Sequence, residues 1–191
     1  PDPETPLEET MDALDAIVRS GKALYVGISK YNKEQTAEAV RILRNLRTPF
    51  VIHQSRYSLF ERTIETNGVK DYVAKEGLGM IAFCPLAQGL LTDKYLHGIP
   101  NDSRIKKDGR FLQESALTQE KLERIRALNE IAAERGQSLA QMAICWILRD
   151  QKVTSVLIGA SRPEQILENV KITGKTDFTL EEQNRIDQIC G

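Results

Sequence analysis

No apolar run in this chain approaches the ~20 residues that a helix needs to cross a bilayer. Cysteine is scarce: Cys84, Cys145 and Cys190 are an odd number without a CxxC pair. That argues against a disulfide framework or a thiolate metal site, and fits reduced thiols in the cytoplasm. Neither sign of charge is in excess, since 26 Lys and Arg stand against 27 Asp and Glu, a net of −1. Such balance argues against nucleic acid or an anionic membrane as the main partner. A signal-like start, a solenoid repeat and a low-complexity tract are also missing.

What is there is an ordinary globular composition of 191 residues, 41% hydrophobic and 28% charged, enough for one sizeable core. Pro1-Asp2-Pro3-Glu4 reads as the middle of a loop, and Thr5-Pro6-Leu7-Glu8 as a capping box with Pro6 at the first helical position. The chain thus begins just before a helix, and an upstream part is expected.

Helix and strand signals alternate. A helix is predicted over about Leu7–Ser20, with Met11, Leu14, Ile17 and Val18 on one face. Ala23–Ser29 is a short apolar strand, and Asn32 and Gln35 cap the next helix. Strands at Phe50–Gln54 and Met80–Cys84 flank a weaker helix around Asn67–Glu76. An irregular segment runs from about Pro85 to Thr118. Helices at Gln119–Arg135 and Ser138–Arg149, a strand at Ser155–Ile158, a helix at Pro163–Ile172 and a last helix capped by Thr179 and Glu182 complete the chain. Apolar strands alternating with helices imply a parallel sheet, covered on both faces or closed into a barrel. Only four strands are present, whereas a full (β/α)8 barrel has eight and about 250 residues. The fold expected is therefore α/β: the second half of a TIM barrel, one partial domain over residues 1–191, with a long loop and extra C-terminal helices.

In a parallel barrel the working groups lie at the C-terminal strand ends. Those ends are Ser29, Gln54, Phe83 with Cys84, and Gly159 with Ser161. A hydroxyl, a side-chain amide and an aromatic face suit a flat ring bearing a carboxamide. The last junction, Ser155 to Asn169, is a strand that breaks at Gly159 and opens a helix with Pro163 in its first turn. Ser161 and Glu164 have capping-box spacing. Free N–H groups at such a helix start attract an anion, commonly phosphate, although these residues alone fit a plain helix cap equally well. The Pro85–Thr118 segment carries Lys94, Arg104, Lys106, Lys107 and Arg110, and reads as a basic lid over an anionic ligand or as a solvated loop. Lid, helix start and ring socket together suit a phosphorylated nicotinamide cofactor.

These residues resemble the aldo-keto reductase superfamily through nearly the whole chain. The matching stretches are Gly21–Ser29, Phe83–Tyr95 and Gly159–Asn169, and the nearest branch is glyceraldehyde-phosphate-reductase-like, related to potassium-channel β subunits. The resemblance implies NADP(H) binding and reduction of aldehydes or ketones by hydride transfer. By family position, Ser29 and Gln54 would hold the nicotinamide carboxamide and Phe83 would stack on the ring. Pro85, Leu86, Ala87 and Gly89, with Lys94 and Tyr95, would line the pyrophosphate path. Arg104, Gly159, Ser161, Gln165, Glu168 and Asn169 would serve the adenosine end. Many relatives carry Lys and Arg where this chain has Gly159 and Gln165. A preference for the 2′-phosphate would then rest on Ser161, Arg104 and Arg162.

The family's acid-base set (a Tyr, Lys, Asp and His) would lie upstream of Pro1, and none is matched here. His53 reads as a core histidine and His97 as a solvated lid residue, while Tyr57 is a guess for the substrate pocket. The chain alone is therefore expected to be inactive. The expected partner is a small aldehyde or ketone, with no nucleic acid and no membrane insertion, and self-association is left open. The alternative is an NADP(H)-binding regulatory subunit of an ion channel.

Overall fold

The computed structural model describes residues 1–96, 98–100, 104–107, 113–172 and 174–191, the side chains of Arg104 and Lys107 excepted. His97, Arg110 and Phe111 lie outside the described residues. In chain order the elements are α1 (Leu7–Arg19), β1 (Val26–Ser29), α2 (Lys33–Leu46), β2 (Phe50–Arg56), α3 (Thr63–Thr66), α4 (Val69–Lys75) and β3 (Gly79–Phe83). Then come α5 (Arg104–Lys107), α6 (Gln119–Glu134), α7 (Leu139–Leu148), β4 (Ser155–Leu157), α8 (Pro163–Val170) and α9 (Leu180–Cys190). Short 3-10 turns at Ala87–Gly89, Asp93–Tyr95 and Glu114–Ala116 break up the long segment after β3, which sequence periodicity left irregular.

The strands form one parallel sheet in the order β1-β2-β3-β4. Right-handed crossovers with a monotonic strand order put every crossover helix on the same face, as in a barrel and unlike a doubly wound sheet. Burial follows that geometry. Ile28, His53, Ser55, Met80 and Ala82 alternate with the opposite set and are buried beneath helices. Gly27, Ser29, Ile52, Gln54, Arg56, Ile81, Phe83, Ser155 and Leu157 occupy the other face and are half-buried or exposed. The architecture is consistent with part of a (β/α)8 barrel. Of the two alternatives, a sheet covered on both faces or one closed into a barrel, the described residues match the second, because the helices cover one face only.

Two apolar clusters hold this layer together. Met11, Val26, Ile28, Ala39, Ile42 and Leu43 join α1, β1 and α2. The larger cluster packs β3 and α4 against α6, α7 and α9 around Trp146, Leu128, Met142 and Ile186. The segment after β3 is anchored in it by Leu90, Leu91 and Tyr95. Cys145 and Cys190 are buried free thiols and Cys84 is half-buried. No helix among the described residues is long and apolar enough to cross a membrane.

Local signals fared unevenly. Asn32 with Gln35, and Thr179 with Glu182, form the reciprocal caps expected. Thr5 does not cap α1: its hydroxyl donates to Asp2 at 2.8 Å, and Pro6 sits at the N-cap rather than inside the helix. The first strand begins at Val26, because Leu24 and Tyr25 project into solvent. Gly27 is needed for a close approach: a Cβ there would stand 2.8 Å from the Ile52 carbonyl oxygen, which is backbone and cannot swing aside. Gly27→Ala is expected to lower stability by about 1–3 kcal/mol, the range for overpacking. Urea unfolding checks this, and a loss under about 0.5 kcal/mol, typical of a neutral surface change, would mean that β1 shifts freely.

Candidate functional site

The uncovered face of the sheet brings three of the predicted strand-end residues together: Ser29, Gln54 and Phe83. Ser29 and Gln54 are direct register partners across β1 and β2. Gln54 pairs in turn with Ile81, and Phe83 lies two residues further on, on the same face. Neither the Ser29 hydroxyl nor the Gln54 carboxamide makes a hydrogen bond to a described residue, and both are half-buried. Period-two alternation fixes this arrangement once the register is set. The result is a row of unpaired polar groups beside an aromatic ring.

Immediately after β3 the backbone is contorted. Cys84, Ala87 and Gln88 have φ of 56°, 45° and 61°. Each left-handed L residue costs roughly 1–2 kcal/mol, so surrounding packing holds the turn in shape. Pro85 and Ala87 are buried, and Leu86 and Gly89 are half-buried beside them. Lys94 and Tyr95 follow in the next turn, with Tyr95 buried in the core. Arg104 lies in α5, and its side chain is outside the described residues.

At the β4–α8 junction the capping is not the one expected. Glu164 makes no cap. The Gln165 side-chain oxygen instead accepts from the Ser161 N–H at 2.8 Å, the Ser161 hydroxyl at 3.3 Å and the Arg162 N–H at 3.3 Å. Those are the donors that the sequence aims at an anion, so an anion must displace the carboxamide to reach them. Gly159 does not adopt a left-handed conformation, and a Cβ on it would meet nothing within 4 Å. Its contribution is open space rather than a turn. Along α8, Asn169 is buried and the Glu168 carbonyl accepts from Gln141 at 2.8 Å.

On the helix side of the sheet lies a cluster that sequence reasoning missed. The Glu65 carboxylate accepts from Tyr57 Oη at 2.5 Å, Arg62 Nε at 2.8 Å, Lys70 Nζ at 2.9 Å and Arg149 at 2.7 Å. Lys70 also meets Asp150 at 2.7 Å. Arg149 stacks 3.7 Å over the Trp146 ring, with Arg62 at 4.7 Å. Burial pushes the Glu65 carboxyl up, but the four donors outweigh it and hold it far below the usual carboxylate range. Burial drives the Tyr57 hydroxyl well above its ordinary range. Tyr57, Lys70 and Asp150 thus have the composition of an acid-base set. However, Tyr57 is fully buried and its proton is committed to Glu65, which corrects its assignment to the substrate pocket. His53 is also buried on this side, as expected of a core histidine, and burial lowers its pKa. A cavity of about 320 Å3 around Arg135 and Lys175 lies away from the strand ends, and Arg135 is paired with Glu182 at 2.7 Å.

Comparison with known proteins fits this geometry. The sequence model described as Aldo/keto reductase family matches residues 1–190. The chain is 52% identical over 190 residues to an L-glyceraldehyde 3-phosphate reductase of Escherichia coli (strain K12), covering 98% of this chain and 55% of the relative. It is 37% identical over 174 residues to a probable voltage-gated potassium channel subunit beta of Oryza sativa subsp. japonica, covering 90% and 53%. Among solved structures, a glycerol dehydrogenase from Gluconobacter oxydans superposes with a TM-score of 0.76 at 29% identity, covering 99% of this chain and 55% of the other. A thermostable aldo-keto reductase superposes with a TM-score of 0.73 at 27% identity, covering 99% and 57%. The chain therefore spans about half the length of the curated relatives it matches.

Proposed function

The chain belongs to the aldo/keto reductase family, and from that premise we propose that it is the cofactor-binding portion of an NADP(H)-dependent reductase of small aldehydes or ketones. The observation that carries the reading is the register pairing of Ser29 with Gln54, both without a protein hydrogen-bond partner, next to Phe83. These groups fit a nicotinamide: the Gln54 amide donates and accepts at once, as a carboxamide requires, and Phe83 offers a face for stacking. When bound, the nicotinamide would supply the hydride. The chain's own residues bind and orient: the turn from Pro85 to Gly89, with Lys94 and Tyr95, follows the pyrophosphate. Ser161, Gln165, Glu168 and Asn169, with Gly159 leaving room and Arg104 contributed by α5, take the adenosine end. The Gln165 carboxamide oxygen marks where a phosphate oxygen would sit on the Ser161 and Arg162 N–H groups.

Among the described residues, no Tyr or His stands at these strand ends on the uncovered face to supply the proton that must reach the carbonyl oxygen. Tyr57 faces the helices, so the acid-base residues belong to another part of the protein. The edges of the sheet support the same division. β1 and β4 each pair on one side only among the described residues. Leu24 and Tyr25 beside β1, and Leu157, Ile166, Leu167 and Val170 at β4 and α8, are exposed. Unpaired edges flanked by apolar side chains call for cover. The cover proposed is the other half of a (β/α)8 barrel, supplied by sequence upstream of Pro1.

The first substrate to test is glyceraldehyde 3-phosphate, because one relative is a reductase of the L-form. The full-length protein is expected to oxidise NADPH in the presence of short aldehydes, and the 191-residue chain alone to do so not at all. Turnover by the isolated chain would overturn the division of labour. NADPH binding by the full-length protein without turnover of any aldehyde would instead favour a regulatory subunit, as the likeness to a probable channel β subunit suggests.

A further inference from the structure

Between the loop after β2, the turn after β3 and the start of α6 lies a cavity of about 260 Å3. Arg56, Lys121, Glu61 and Gln88 are its charged and amide lining. Arg56 is two residues beyond Gln54, so it shares the uncovered face of the sheet, and it is the register partner of Phe83. Its guanidinium makes no hydrogen bond or ion pair with any described residue. Lys121 holds its Nζ 4.4 Å over the Phe60 ring and has no carboxylate partner. It stands in the first turn of α6, where the helix adds partial positive charge.

The acidic member of the lining is engaged elsewhere. Glu61 accepts from the Thr63 N–H at 3.2 Å and the Thr63 hydroxyl at 2.5 Å. The Gln88 side-chain oxygen is buried without any partner. With its oxygen buried, the amide leaves its NH2 as the accessible end, and that NH2 has no hydrogen-bond partner among the described residues. Two unpaired cations and an unpaired amide thus face one cavity, beside the ring position and against the strained turn at Ala87 and Gln88.

We propose that this cavity is a phosphate seat, in which Arg56 and Lys121 hold a phosphate group and Gln88 adds a neutral donor. A guanidinium fork matches phosphate oxygens, and Lys adds a point charge. Given the reductase reading, on which this inference rests, the phosphate is that of a phosphorylated aldehyde substrate.

The seat is tested first without any turnover. Inorganic phosphate, titrated into the full-length protein, shifts the Arg56 Nε–H and Gln88 NH2 resonances in a 1H–15N spectrum, and Arg56→Gln abolishes the Gln88 shift. Resonances that stay put up to tens of millimolar phosphate overturn the proposal, whatever the enzyme's activity. Shifts in a protein that neither binds NADPH nor reduces an aldehyde would leave the seat standing and sink the reductase reading. The source is then separated by two ratios. If the substrate supplies the phosphate, Arg56→Gln raises the KM for glyceraldehyde 3-phosphate relative to glyceraldehyde about tenfold, the factor expected for one charge-assisted contact. The same variant weakening NADPH binding about tenfold while leaving that KM ratio alone would put Arg56 on the cofactor path and overturn the substrate seat. Lys75→Gln, an exposed cation on α4, serves as the control. Equal behaviour of the Arg56 and Lys75 variants in both assays overturns the seat.

Discussion

Replacing Glu65 by Gln is expected to lower the stability of the folded protein by about 3 kcal/mol, the lower end for breaking a buried ion pair. The reason is the number of groups that depend on one carboxylate. Lys70 would retain Asp150 and Arg62 would retain Asp187, but Arg149 would keep only neutral acceptors around it. A half-buried guanidinium stacked on a buried indole cannot recover its hydration. The comparison is Arg41→Gln, which breaks an exposed pair with Glu38 and should change stability by less than about 1 kcal/mol. Urea denaturation of the two variants side by side checks the difference. A Glu65→Gln protein as stable as the Arg41 variant would mean that the cluster is held by packing around Trp146 alone.

The same carboxylate sets a pH dependence. Its folded pKa is depressed, so as pH falls the unfolded chain takes up the proton first. The contribution of Glu65 is therefore complete above the ordinary carboxylate value of about 4.3 and is lost as pH falls through the folded value. Asp150 acts in the same direction, since Lys70 outweighs the effect of burial and lowers its pKa. The unsubstituted protein should lose stability between about pH 5 and pH 2 more steeply than Glu65→Gln. The gap between the two curves should narrow steadily toward the acid end, as denaturation midpoints measured across that range would reveal.

The second large effect concerns the ring socket. Ser29→Ala combined with Gln54→Leu is expected to weaken NADP(H) binding by the full-length protein about 100-fold, or roughly 2.7 kcal/mol for two buried hydrogen-bonding groups. Either change alone should give about tenfold. The two side chains are register partners on one face, so in this proposal they share one carboxamide rather than meeting two ligands. Neither has a protein partner to lose, so their removal should leave stability within about 0.5 kcal/mol. Fluorescence titration with NADPH measures the affinity, and thermal unfolding supplies the control. Unchanged affinity with an intact fold would remove the nicotinamide from this face of the sheet.

Much of this molecule could be read from sequence because the relevant chemistry is local. The caps at Asn32 and Thr179 depend on a side chain three residues from the N–H it meets. The strands after Pro49 and Gly77 are apolar runs between breakers. Ser29, Gln54 and Phe83 are strand ends, and strand ends are visible wherever an apolar run stops. Arg56 was within reach too, since period two from Gln54 puts it on the same face. What escaped were contacts made across many residues. Arg149 meets Tyr57 92 positions away, and Arg62 meets Asp187 across 125. No spacing rule announces such partners. Even the β4–α8 junction, where the signal was local, turned on a choice between Glu164 and Gln165 that rotamer and packing made.

By itself, then, the order of residues determined the succession of the longer helices and the four strands, their parallel pairing and the strand ends where polar groups collect; the short α3 and α5 were not legible. Periodicity, breakers and caps act over a few residues and survive without knowledge of the rest. The tertiary structure alone decided which face of the sheet is covered, which tyrosine is sealed behind helices and which cations are left unpaired. Those outcomes depend on elements distant in sequence arriving at one place, where a buried charge must be paired and an exposed, unpaired one stays open to a ligand.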